Sequence, residues 1–180
     1  MSQQRFHVDL YTPSYKQYDD GNNWYNEKTS CGGTMASEGC FITSVAMVFR
    51  GFDHSGDPGT LLAKLKAKKA DCPFQWSTAA SEYSHTWHGK TSGAFSTLKQ
   101  QIFNKIVNDL IPVLVHVPNH LVVVKGFSGT LSTNANGSLA YNEITPSMFM
   151  VNDPGSSTNS TLQDVINQRG AVDYFAHYTA

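Results

Sequence analysis

Cys40 stands directly before the run FITSVAMVF, whose apolar residues Phe41, Val45, Val48 and Phe49 recur on one helical face. A cysteine at a helix start can act as a nucleophile. The unpaired N–H groups of the first turn favour negative charge by about 0.3–1 kcal/mol, at best about 2. At about 1.4 kcal/mol per pKa unit, this lowers a thiol pKa by roughly one unit, so a basic partner must supply the rest. The competing reading is a small packed hydrophobe. Two histidines are candidates for the partner. His120 opens HLVVVKGF after a Pro118-Asn119 turn, which keeps its ring at a sheet edge while Leu121–Val124 anchor the strand. His116 lies inside VLVHV on the face of Leu114 and reads as a structural histidine. Asp153 ends the next apolar run, FMVNDPG, where a carboxylate can accept an imidazole N–H. Asn152 can fill the same place, and NDPG is also a common turn former, so those readings stay open side by side. The order Cys at a helix start, His at a strand start, Asp at a strand end points to nucleophilic acyl chemistry. The thiolate attacks, the imidazole takes and returns the proton, and a third polar group orients the ring.

The elements that must hold these residues follow from periodicity and punctuation. Residues 1–36 read as loop with short extended pieces, since Gly, Asn, Asp and Tyr dominate YKQYDDGNNWYN. The first helix begins near Cys40, with Ser37 or Gly39 at its cap, Glu38 near the positive end of its dipole, and Gly51 at its end. DPGTLLAKLKAKKA predicts a second helix, capped by Asp57, with Pro58 at its first position and Leu61, Leu62 and Leu65 inward. DCPFQWSTAASEYSHTWHGKTSG reads as irregular, and a third helix is expected over about Ser96 to Leu110. PVLVHV, HLVVVKGF, SMFMVNDPG and AVDYFAHYT read as strands, with an Asn136-Gly137 turn and a short helix, STLQDVINQR, capped by Ser160 or Thr161. Helices first and a mostly antiparallel sheet afterwards give an α+β fold in one domain, residues 1–180.

Composition narrows the function classes. The 180 residues are 40% hydrophobic with a net charge of −1, an ordinary globular balance. The one basic run, Lys64, Lys66, Lys68 and Lys69, reads as a solvated helix face, so no nucleic-acid partner is expected. No stretch approaches the roughly 18–20 apolar residues of a membrane span, and MSQQRFHVDLY lacks a signal's apolar core. The expected location is the cytoplasm, or outside the cell after release without a signal. Three cysteines, Cys31, Cys40 and Cys72, are too few for a disulfide scaffold, and a Cys31–Cys72 bridge is left open. His85 and His88 of HTWH offer two metal ligands but nothing completes a tetrahedral set, so neither metal nor cofactor is expected.

Taken together, the pieces resemble the papain-like cysteine peptidases of the bacteriocin leader-processing type and their stand-alone relatives. YKQYDDGNNW supplies the aromatic, Gln, Asp and Trp of that pattern as Tyr15, Gln17, Asp19 and Trp24. CGGTMASEGCFITSVAMVF matches the Gly-rich turn, Gly-Cys, Thr-Ser and Ala-Met. IPVLVHVPNHLVVVKGF and FMVNDPG match the histidine and Asp-Pro blocks. The resemblance implies a papain-like fold with the nucleophile helix packed on the sheet. It implies Cys40 as nucleophile, His120 as base, Asp153 as its orienter, and Gln17 with the Cys40 N–H as oxyanion donors. By residue type alone Gln17 is an exposed polar residue in a Tyr-rich loop. Phe41 and Ile42 are bulkier than is common after the cysteine. No transporter region is present, so cleavage of double-glycine leaders is not implied. The expected activity is a thiol-dependent endopeptidase acting on a protein or on peptidoglycan stem peptides, as in bacterial or phage wall-lysing relatives. Acyl transfer or amidase chemistry on the same scaffold, and a non-catalytic binding module, are the alternatives.

Overall fold

The near-continuous apolar runs in the middle of the chain need cover on both faces, and a computed structural model, which describes residues 2–18 and 24–180, provides it. Six strands form one sheet: β1 (Gln3–Asp9), β2 (Thr86–Ser92), β3 (Val113–Val117), β4 (His120–Ser132), β5 (Phe149–Asn152) and β6 (Tyr174–Thr179). Their order is β1-β4-β3-β6-β2, with β5 also on β4, and every pairing is antiparallel. Six helices accompany them: α1 (Met35–Glu38), α2 (Cys40–Asp53), α3 (Pro58–Ala67), α4 (Trp76–Glu82), α5 (Phe95–Phe103) and α6 (Leu162–Arg169). The fold is α+β and papain-like, with α2, which Cys40 opens, laid on the sheet.

Strand alternation divides the core in two. Leu114, Leu121 and Val123 face α2 and α3 and pack with Val45, Met47, Phe49, Leu61, Leu65 and Trp24. Val113, Val115, Val117, Val122 and Val124 point the other way, onto Leu98, Ile102, Phe103, Phe127, Phe149 and Val165. β3 and β4 are therefore held from both sides, which fixes whatever stands at their ends.

Several boundaries differ from the sequence reading, each for a local reason. α2 does not stop at Gly51 but continues to Asp53 and ends at His54 in the left-handed region, φ 62°. Gly51 is instead a point of close approach, since a Cβ there would lie 2.7 Å from the Tyr11 carbonyl oxygen. The cap of α2 is Gly39, without a side-chain hydrogen bond. Glu38 serves the preceding loop, accepting from Thr29 Oγ1 and from the Gly33 amide. Ser37 belongs to α1, where it forms a capping box with Thr34. The third helix loosens into a π turn over Asn104–Asn108. The segment read as irregular contains α4 and β2, and one of the extended pieces expected before residue 36 is β1. The predicted starts of α3 at Asp57 and α6 at Thr161 stand, each with its side-chain cap. Cys31 and Cys72 form a disulfide, Cα–Cα 5.6 Å, tying two loops 41 residues apart in sequence. Asp71 reinforces this tie by accepting from the Ser30 amide and hydroxyl. No helix among the described residues is long and apolar enough to cross a membrane.

Candidate active site

The α2 helix meets β4 through polar contacts at its first turns. Ser44 Oγ donates to the Leu121 carbonyl at 3.1 Å. One turn earlier the Cys40 sulfur faces the Leu121 amide, one residue from His120. Cys40 opens α2, is 8% exposed, and is the only cysteine outside the disulfide. Burial pushes its thiol pKa up. The amides of Leu121, Phe41 and Cys40 itself and the charge of Arg169 oppose that without cancelling it.

His120 is the first residue of β4, placed by a two-residue turn in which Asn119 adopts φ 59°. Its Nε2–H donates to Asp153 Oδ1 at 2.6 Å, with both side chains buried. Nδ1 is therefore the ring nitrogen left for the cleft. Asp153 follows β5, whose antiparallel register sets Asn152 against Val123 and carries the chain back past the start of β4. Burial alone would raise the Asp153 pKa. Hydrogen bonds from His120 and from Asn159 Nδ2 (3.0 Å), the charge of the ring, and the Gly155 amide (2.8 Å) prevail and hold it below the usual carboxylate range. The turn reading and the orienter reading of Asp153 are thus compatible: the same Oδ1 receives the Gly155 amide and the imidazole. Asn152 points elsewhere, donating to the Thr12 carbonyl and hydroxyl and to the Pro13 carbonyl. His116 is also engaged apart from the cleft's centre, hydrogen-bonded to Asp173 at 2.7 Å and stacked on Tyr174.

Gln17 is buried, contrary to what its residue type suggests. Its stretch is held on both sides: the Gln17 amide donates to the Pro154 carbonyl at 2.9 Å, and Trp24 Nε1 donates to the Lys16 carbonyl at 2.7 Å. Lys16 Nζ donates to the Asp153 carbonyl at 2.7 Å, and burial lowers its pKa despite the nearby carboxylate. The Gln17 side chain donates one Nε2 hydrogen to the Ala36 carbonyl at 3.0 Å and has a second one available, while its Oε1 is buried without a partner among the described residues. Asp19 of the same sequence pattern lies outside the described residues.

Gln17, Cys40 and His120 line a single cleft of about 630 Å³, together with Phe41, Phe74, Trp76 and Arg169. Gly155 forms part of its wall because a Cβ there would sit 2.9 Å from His120 Cε1 and 3.2 Å from Arg169 Nη2. The aromatic wall is braced from behind by Trp87, stacked on Trp76 at 4.7 Å. Sequence reasoning named Phe41 but missed Phe74, Trp76 and Arg169. Those two aromatics lay in a segment without periodicity, and Arg169 looks like any cation closing a helix before glycine. The HTWH histidines sit in separate environments: His85 is packed on Phe49 and His88 is stacked on His177. The arrangement combines a sulfur at a helix start, a carboxylate-held imidazole and a spare amide donor around one opening. A model of the Peptidase_C39 like family matches residues 10–179. No curated protein matches the chain.

Proposed function

The chain belongs to the Peptidase_C39 like family, and from that premise we propose that it is a thiol-dependent endopeptidase in which Cys40, His120, Asp153 and Gln17 act together. The observation that carries this reading is the buried 2.6 Å contact of His120 Nε2 with Asp153, which leaves Nδ1 toward the cleft that Cys40 lines. Cys40 passes its proton to His120 Nδ1 as its sulfur bonds to the scissile carbonyl carbon. The carbonyl electrons move onto oxygen, and the free Nε2 hydrogen of Gln17 and the Cys40 amide receive them. Collapse of the adduct breaks the C–N bond, and the leaving amine takes the proton from His120. Water, deprotonated by the same ring, then attacks the thioester and restores the thiol. Asp153 holds the ring in one tautomer throughout.

Burial of the thiol favours a second reading, a packed cysteine in a binding module. The two separate on proton sharing. Burial opposes a lone thiolate, whereas an ion pair with a neighbouring imidazolium relieves that cost. The experiment is alkylation by iodoacetamide across pH, alongside digestion of casein and of purified cell walls. The peptidase reading expects Cys40 to react near neutral pH, with this reactivity lost in His120→Ala. It also expects new amine ends from one substrate, abolished by Cys40→Ala. A Cys40 that reacts only above pH 8.5, the ordinary thiol range, and releases no amine would leave the binding module in its place. Products in which an added amine replaces water would assign acyl transfer.

A further inference from the structure

The charges lining the cleft are unequally engaged. Its two acids are occupied within the protein: Glu38 by Thr29 and the Gly33 amide, Asp71 by the amide and hydroxyl of Ser30. Its two cations are not. Lys90 Nζ lies over the rings of Tyr174 and Trp76, at 4.7 and 5.5 Å from their centroids, and is in no ion pair among the described residues. Arg169 neither donates a hydrogen bond nor enters a salt bridge among the described residues, although its guanidinium reaches the cleft wall at Gly155, beside His120. The guanidinium offers five donors in a planar fork suited to a carboxylate, and none of its nitrogens is buried, so the fork is open to a ligand in the cleft.

The support behind Arg169 is rigid. It ends α6, whose start carries a capping box from Thr161 and Asp164 and whose Leu162 and Val165 are fully buried. Asn159 joins this helix to the catalytic pair, donating to Asp153 Oδ2 and to Gln168 Oε1. The backbone that carries Arg169 is therefore fixed relative to His120, which keeps the guanidinium within reach of the same cleft wall. We propose that Arg169 recognises a carboxylate on the substrate, carried by an acidic side chain near the scissile bond or by the chain's own C-terminus. The proposal rests on the peptidase reading and names the substrate class for that site. Lys90, on the aromatic wall, adds to the same positive field.

The test uses two random hexapeptide libraries, both acetylated at the N-terminus, one with free carboxyl ends and one amidated. Wild type, Arg169→Gln and Arg169→Lys digest each, and mass spectrometry reads the products. Wild type is expected to cleave carboxylate-bearing peptides about 10- to 100-fold faster than their amide counterparts. Enrichment of Asp or Glu in both libraries identifies a side chain as the source. A preference confined to the free-ended library identifies the terminus. Arg169→Gln is expected to bring the ratio near one, and Arg169→Lys to hold an intermediate value. A wild-type ratio near one, or a preference that survives Arg169→Gln, overturns the proposal. If neither library is cleaved, the peptidase reading is decided by the casein and cell-wall digests, and the carboxylate site is judged by retention on immobilised Cys40→Ala protein. Enrichment of carboxylate-bearing peptides that disappears in Cys40→Ala/Arg169→Gln upholds it, and no enrichment overturns it.

Discussion

On the sheet side of the cleft the Asp153 carboxylate receives hydrogen bonds from His120, Gly155 and Asn159, whereas on the helix side Gln17 Oε1 is buried with no partner among the described residues. The sheet side is complete before anything binds. Both Asp153 oxygens and His120 Nε2 are matched, and β4 is packed on both faces, so the imidazole has one orientation. The helix side has capacity in reserve: a second Gln17 N–H and a thiol. Groups satisfied within the protein set geometry, while groups left unmatched are available to a ligand. The contrast teaches that the two walls should answer mutation differently, the first through stability and the second through turnover.

The most severe break is expected on the complete side. Asp153→Ala strands the His120 Nε2–H, the Asn159 amide and the Gly155 amide, and should cost roughly 3–5 kcal/mol of stability, read from urea denaturation, with activity lost as well. On the reserve side, Gln17→Ala should lower kcat by about 10²–10³-fold yet change stability by no more than about 1 kcal/mol. It removes one hydrogen bond to Ala36 and also an unsatisfied oxygen. A Gln17→Ala protein that loses stability but keeps turnover would erase the distinction between the walls. Gly155→Ala sharpens it by moving the ring without touching the carboxylate. The new Cβ meets His120 Cε1 at 2.9 Å, so a displacement of a few tenths of an ångström should lower kcat by about 10-fold while the denaturation midpoint changes little.

The smallest effect is one of pH. The Asp153 pKa is depressed in the folded protein, so the fold disfavours its protonation. The stability this supplies is present above the unfolded value of about 3.9 and is lost as pH falls through the lower folded value. Urea midpoints at pH 6 and pH 3 should therefore differ by more in wild type than in Asp153→Asn.

What could be read beforehand depended on how local its cause was. β3 and the start of β4 are visible as β-branched runs around a Pro-Asn turn, and α3 and α6 announce themselves through Asp57-Pro58 and Thr161. β1 and β2 do not. QQRFHVD and TWHGKTS are half-exposed outer strands with weak alternation, and they are strands because Gly126–Ser132 and Tyr174–Thr179 offer them unpaired edges. The same distinction divides the site. Cys40 and His120 stand at element starts that the sequence marks. The burial of Gln17 comes from Ala36 and Pro154, one of them 137 residues away, and no local pattern encodes that. The choice between Asn152 and Asp153 is likewise set by the N-terminal segment, which engages the Asn152 amide and leaves the carboxylate to the ring.

The Cys31–Cys72 bridge has a bearing on handling as well as on shape. Cys72, Pro73 and Phe74 continue from it into the cleft that Cys40 lines. On the peptidase reading, one polypeptide thus asks for sulfur in two oxidation states a short distance apart, a joined pair to fix a wall and a lone reduced atom for attack. Too oxidising a medium caps the lone sulfur, and too strong a reductant frees the wall. Activity plotted against dithiothreitol should rise and then fall, with the descent marked by a step from one to three alkylatable thiols per chain.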